Sequence, residues 1–280
     1  MSPHHELSLD LLVLNTETKD EIMKNLLVIL LMAFVAQFAR ADCASTGIYV
    51  FPESKEIHIN SIFTIEGYAL DQVYIQELEE KYTAFLLSES EKIELRLIEQ
   101  FDGMFSMSKA ILKPSSPLKM GSTYTLEIYD NQNHEIAAFM KRYNSDIDEF
   151  EKISWTVTKE EDRKVPVWTK MPTHDKNLYT AFGCGPAIYS IFSTQVTDLS
   201  AVLVWTDLKD ITTGEIYSYY IPVQQDSIIQ IGHGMCSGQF SFVSKHEYEV
   251  RFKLMDECGN YGTGTLWYKF DNPVDHYESY

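Results

Sequence analysis

The sequence predicts a mainly β protein: two β-sandwich domains behind an N-terminal export signal. Three observations carry this. From Gly47 onward, short runs rich in Ile, Val, Tyr, Phe and Thr alternate with turn clusters, and few stretches show a helical period. The two halves repeat one local pattern, a turn followed by a tyrosine with apolar residues two and four positions on. Ahead of the first strand stand Met23-Lys24-Asn25, an apolar run over 26–38 and Ala39-Arg40-Ala41, which are the n-region, h-region and A-x-A ending of a secretory signal.

The signal bounds everything else. A transmembrane anchor needs roughly 20 apolar residues, and this run is broken by Arg40 and Asp42. Cys43 lies close to the cut, but Arg40-Ala41-Asp42 before it are not the small apolar residues of a lipid-modification site. Residues 1–22 play no part in an export signal and read as a spurious or disordered leader, so the signal peptide is 23–41 and the exported chain starts at Asp42. The expected location is periplasmic, cell-surface or extracellular, without membrane insertion after cleavage.

The whole chain of 280 residues carries a formal charge of −18. Removing the five acids and three bases of residues 1–41 leaves about −16 for the exported part. Such a surface repels nucleic acid and anionic headgroups. With 45% hydrophobic residues and abundant aromatics the acidity belongs to a folded chain, not a disordered one.

In the first half, strands are predicted at 48–51, 56–68, 92–100, 105–113, 124–130 and 135–143, separated by turns such as Pro114-Ser115-Ser116-Pro117. Residues 71–88 mix Leu, Glu and Lys and read as a helix. Residues 147–178 are more polar, yet Trp155 and Trp168 require that they pack. This gives domains at 42–146 and 179–274 with a packed linker between them. In the second half, strands are predicted at 187–192, 201–208, 215–223, 227–231, 239–243, 247–255 and 263–270, with Thr212-Thr213-Gly214 as a hairpin turn.

The repeated pattern is Gly121-Ser122-Thr123-Tyr124 leading into Leu126 and Ile128, and Lys245-His246-Glu247-Tyr248 leading into Val250, Phe252 and Leu254. A tyrosine at a strand entrance of this kind is how a tyrosine corner precedes a buried strand. Together with Phe51-Pro52, Ile59-Asn60-Ser61 and the turn Asp256-Glu257-Cys258-Gly259-Asn260, these pieces resemble secreted bacterial proteins with immunoglobulin-like or fibronectin type III-like domains. The resemblance implies two immunoglobulin-like sandwiches and a role in adhesion, scaffolding or ligand binding. It carries over no catalytic residue.

Cys43, Cys184, Cys236 and Cys258 all lie in the exported part, where disulfides persist. If the seven strands of the second half alternate in direction, Cys184, Cys236, Cys258 and His233 fall at one pole. The compartment favours a disulfide there, Cys258 with Cys184 or Cys236. The alternative is a copper or zinc site using His233, Met235 and Cys236, whose imidazole and sulfur ligands suit those metals. Tyr217 and Tyr219 share one strand face and Tyr220 takes the other, so exposed rings there would stack on a glycan or a protein partner.

Neither acidic run, Asp146-to-Glu149 or Glu160-to-Asp162, has the spacing and glycine of a calcium loop. There is no G-x-S-x-G, H-E-x-x-H or phosphate-cradling glycine loop. The expected protein is a non-enzymatic binding or structural module without a cofactor, its partner an envelope or extracellular protein or glycan. A hydrolase with an unrecognised site is the further alternative.

Overall fold

The computed structural model describes residues 46–136, 141–144, 148–183, 185–224 and 227–275. The expected leader 1–22 and expected signal peptide 23–41, with Cys43 and Cys184, lie outside the described residues. The described residues are mainly β, with 59% strand and 4% helix. Among the described residues no helix is long and apolar enough to cross a membrane.

The first half comprises β1 (Gly47–Phe51), β2 (Glu56–His58), β3 (Phe63–Tyr68), β4 (Tyr82–Leu87), β5 (Lys92–Asp102), β6 (Met107–Pro114) and β7 (Thr123–Asp130). A small hairpin, β8 (Lys141–Asn144) with β9 (Glu149–Lys152), leads to β10 (Ser154–Lys159). Apart from that hairpin these strands form one sheet in the order β1-β3-β6-β5-β4-β7-β10-β2. The sheet closes over a single core, because Val50, Phe63, Leu86, Leu95, Leu112, Tyr124 and Trp155, drawn from seven of its strands, pack in one cluster. Period-two burial explains the choice of face: in β5, Ile93 and Leu95 are buried while Glu94 and Arg96 face solvent.

The second half comprises β11 (Val167–Phe182), β12 (Gly185–Thr197), β13 (Val202–Asp210), β14 (Ile216–Pro222), β15 (Ile228–His233), β16 (Tyr248–Asp256), β17 (Tyr261–Gly264) and β18 (Tyr268–Phe270). One sheet is β11-β12-β15; the other is β14-β13-β16-β17, with β18 also pairing β16. The two meet across a core in which Phe192 and Ile231 of the first pack with Val204, Tyr219, Phe252 and Phe270 of the second. The segment 147–178 thus supplies strands to both halves.

Both predicted tyrosine corners form. Tyr124 Oη accepts the backbone N–H of Lys119 at 3.0 Å, and Tyr248 Oη accepts that of Val243 at 2.8 Å, each five residues upstream. The turns read from sequence form as well. Gly214, at φ 84°, closes the β13–β14 hairpin with its N–H on Asp210. Asp256 Oδ1 accepts the N–H groups of Cys258 and Asn260 in the turn from β16 to β17.

Several elements differ from expectation: the expected strand 263–270 is broken into β17 and β18, and part of the expected strand 135–143 lies outside the described residues. Among the described residues helix is confined to a 3-10 turn at Ala69–Asp71 and to α1 (Gln72–Gln76); residues 82–87 are β4, paired on both sides by β5 and β7, so ladder partners override a helix-like composition. The stretch 56–68 breaks at Ile59-Asn60 into β2 and β3. The long strand β11 was hidden because it buries almost nothing and shows no alternation; it is an edge strand with three register irregularities against β12. Finally, residues 239–243 form no strand, although Phe240 and Phe242 are buried.

That missing strand inverts the parity used to place the cysteines. Ile188 at the start of β12 pairs His233 at the end of β15, so His233 lies at that pole. The end of β16, however, pairs the start of β13, Asp256 with Val202, which places Cys258 at the opposite pole.

The halves are fastened to each other at several places. A third cluster joins Phe51, Ile62 and Ile111 of the first to Leu203, Tyr220 and Met255 of the second. Lys109 donates to Glu66 at 2.9 Å and to the Tyr220 carbonyl at 2.7 Å, while the Tyr219 hydroxyl donates to the same Glu66 oxygen at 3.0 Å. Phe105 and Gly238 exchange two backbone hydrogen bonds. A Cβ on Gly238 would lie 2.2 Å from His233 Cα, so only glycine lets these chains approach.

Candidate functional site: a tyrosine-lined cleft between the halves

Beside the Phe105–Gly238 bridge the two halves leave a cleft of about 370 Å³. The first half contributes Tyr49 on β1, Tyr68 at the end of β3 and Met107 at the start of β6. The second contributes Tyr189 on β12, Gln230 on β15, Gln224, and the loop from Gly234 to Gln239. β1 and β3 are antiparallel neighbours, and Tyr49 and Tyr68 stack with ring centroids 5.3 Å apart and planes inclined by 21°. Gly47 makes room for this stack, since a Cβ there would meet the Tyr68 hydroxyl at 2.7 Å.

Among the described residues no Asp, Glu, Lys, Arg or His lines the cleft, and Cys236 in its wall is disulfide-bonded. Burial, followed by the neighbouring Tyr49, raises the phenol of Tyr68 above its ordinary value, and the same two causes raise that of Tyr189. The rings of Tyr68 and Tyr189 are therefore neutral at physiological pH. Gln224 donates from Nε2 to Gln230 Oε1 at 2.9 Å, which presents a paired set of amide groups beside the rings. Tyr49 remains 59% exposed, so an aromatic face is open to an incoming molecule. Apolar ring surface with amide donors and acceptors, and no fixed charge among the described lining residues, suits a neutral polar ligand.

The site residues predicted from sequence fall elsewhere or take other roles. Tyr219 and Tyr220 are buried, Tyr219 on Glu66 and Tyr220 against Phe101 and Trp205, so neither is a stacking surface; this corrects the expectation of an aromatic face on β14. Half-buried Tyr217 donates to Glu215 at 2.6 Å. The strand that carries these rings lies against the first half, which the local pattern could not show.

Cys258 is a free thiol, which corrects the expected pairing with Cys184 or Cys236. Burial first, then the nearby carboxylates of Asp256, Glu257 and Asp162, push it up to about 12. Cys236 is disulfide-bonded. It therefore has no thiolate to offer a metal alongside His233 and Met235, which corrects that ligand set. His233 lies buried against the Phe105 ring, its Nδ1 hydrogen-bonded at 2.8 Å to the Gly234 carbonyl. Met235 and Cys236 do reach the tyrosine cleft, as part of its wall.

Sequence reasoning missed Tyr49, Tyr68 and Tyr189 as a group. They are 140 positions apart at the extremes, and no local spacing links them. Strand parity would not have raised them either, since Tyr49 shares its face of β1 with the buried Phe51 while Val50 takes the other face.

No protein-family model and no curated protein matches the sequence. Among solved structures the chain is similar to the pullulanase of Anoxybacillus sp. LM18-11 complexed with maltotriose, at 11% identity and a TM-score of 0.21, over 82% of this chain and 25% of that one. It is also similar to a cytokine receptor complex, at 9% identity and TM-score 0.24, over 81% of this chain and 96% of that one. The adhesin InvE of Yersinia pseudotuberculosis matches at 10% identity and TM-score 0.22, over 81% and 58%. The chain spans a quarter of the pullulanase and somewhat over half of the adhesin. These scores are too low to carry an argument about function.

Proposed function

We propose that this chain is a non-enzymatic binding module of the exported or envelope class, built from two immunoglobulin-like sandwiches, and that the cleft between them holds a neutral glycan segment. The observation that carries this reading is the uncharged wall of Tyr49, Tyr68 and Tyr189 beside Gln224 and Gln230. Sugar rings present C–H faces that stack on tyrosines and hydroxyls that pair with amides, and they need no ionic partner. The strongly acidic surface favours a neutral over an anionic glycan, since like charge lowers the encounter rate.

The test is binding of the purified protein to an array of neutral and acidic glycans, followed by titration of the best neutral ligand. Tyr49→Ala and Tyr189→Ala should each weaken binding about tenfold or more, the scale of one lost stacking contact at an anchor position. Preference for acidic glycans, or unchanged affinity in both variants, would overturn the reading. Release of shortened products during the titration would replace the binding module with a hydrolase.

A further inference from the structure

We infer that His58, Asp162 and Cys258 form a zinc-class metal site, bound by nitrogen, oxygen and sulfur, that staples the two halves together at the pole opposite the tyrosine cleft. One ligand atom from each of the three lies within 4.8 Å of the others. They come from distant parts of the chain: His58 ends β2, Asp162 lies in the connection between β10 and β11, and Cys258 lies in the turn after β16.

Each ligand is held as a metal ligand is held. His58 Nδ1 lies 2.6 Å from the Glu160 carbonyl, so that nitrogen carries the proton and Nε2 keeps the free lone pair. His58 is 93% buried, and its Nε2 has no hydrogen-bond partner. Asp162 is 3% exposed; Oδ1 accepts the Lys164 N–H, whereas Oδ2 has no partner. Asparagines from both halves fix its backbone, Asn60 at 2.8 Å and Asn260 at 3.1 Å to the carbonyl, with the Asp162 N–H returned to Asn60. Cys258 is the free thiol. A buried imidazole nitrogen and a buried carboxylate oxygen without partners are costly features unless something binds both.

The charge points the same way. Asp162, Asp256 and Glu257 are almost wholly buried, and Asp198 joins Asp162 and Asp256 in a second set within 4.8 Å. Among the described residues none of these four acids belongs to an ion pair with lysine or arginine. A dication would offset that charge. The mixed donor set selects the metal: thiolate disfavours calcium and magnesium, carboxylate disfavours copper(I), and imidazole with both suits zinc. Zinc bonds of about 2.0–2.3 Å place tetrahedral ligands roughly 3.3–3.8 Å apart, so the widest pair needs to close by at most about 1.5 Å. A solvent cavity bordered by Ser61, Pro114, Glu161 and Cys258 gives an ion its way in.

The experiment is metal loading of the purified protein, without thiol reductants, by equilibrium dialysis against zinc and by titration with cobalt(II). One zinc per chain is expected, and the cobalt form should show a near-ultraviolet sulfur-to-cobalt band with the visible bands of a tetrahedral centre. Cys258→Ser should abolish the sulfur band, and His58→Gln and Asp162→Asn should each weaken zinc binding at least a hundredfold while circular dichroism shows a folded chain. Should a variant fail to fold, the wild-type cobalt spectrum decides alone: a band from sulfur supports the site, and a spectrum without one overturns it. Absence of stoichiometric zinc, or wild-type affinity in Cys258→Ser, overturns it equally.

Discussion

Replacing Lys109 by Met should be among the most damaging single changes to this fold. The methionine keeps most of the side-chain volume but removes an ammonium that lies 2.9 Å from Glu66 Oε2, donates to the Tyr220 carbonyl at 2.7 Å and sits 5.1 Å from the Tyr219 ring centroid. The lysine and glutamate side chains are only 4% and 11% exposed, so water cannot take over. Glu66 would keep a single partner, the Tyr219 hydroxyl, and the Tyr220 carbonyl would lose its side-chain donor. Leaving one charge of a buried pair uncompensated costs about 3–5 kcal/mol, against a typical total of about 5–15 kcal/mol. In urea, with a slope of about 2–3 kcal/mol per molar, the unfolding midpoint should fall by roughly 1–2.5 M. The double change Lys109→Met with Glu66→Leu should recover much of the loss, because an apolar replacement of the whole pair leaves no orphan charge. Glu66 and Lys109 belong to one half and Tyr219 and Tyr220 to the other, so the single variant should also broaden the transition as the halves uncouple. A midpoint within about 0.2 M of wild type, or a double variant worse than the sum of the singles, would refute the reasoning.

The two tyrosine corners should differ in weight. Tyr248→Phe orphans the Val243 N–H and should cost about 1 kcal/mol, whereas Tyr124→Phe removes both the Lys119 bond and a 2.5 Å bond to Glu91 and should cost about 1–3 kcal/mol, both read by thermal denaturation. Gly238→Ala forces a Cβ to within 2.2 Å of His233 and should cost about 1–3 kcal/mol, visible as a lowered melting temperature; an unchanged melting temperature would mean the bridge to Phe105 is not rigid. Stability should fall at alkaline pH. Burial first, then Glu66, holds the Tyr219 phenol well above 10, and burial first, then Tyr261, raises that of Tyr220. Both folded and unfolded states are protonated below about 10, so the full contribution is present there. Above that the unfolded chain ionises first, and urea midpoints should drop as pH rises past about 10, less so in Tyr219→Phe.

Much of the fold was readable one strand at a time. Strand β16 alternates Tyr248, Val250, Phe252 and Leu254 inward with Arg251 and Lys253 outward, and that alternation stands in the sequence as plainly as in the structure. The tyrosine corners and the Asp256 and Gly214 turns are equally local, each closed within five residues. Strand β11 was not readable, because a strand that buries neither face has no pattern to read. Residues 239–243 misled for the opposite reason: Phe240 and Phe242 alternate like a strand, yet the segment packs its rings without a ladder.

The sequence by itself determined the β class, the acidic surface, the turns and the identity of the buried strands, because each depends on side chains and backbone angles within a few residues. Which groups meet across the chain was decided by tertiary structure alone. Because residues 239–243 form no strand between β15 and β16, Cys258 falls at the pole opposite His233, where it meets His58 and Asp162. The packing of one half on the other buries Tyr219 and Tyr220 and leaves Tyr49, Tyr68 and Tyr189 around a cleft. Such meetings depend on sheet order and on the contact between halves, and no spacing along the sequence encodes either.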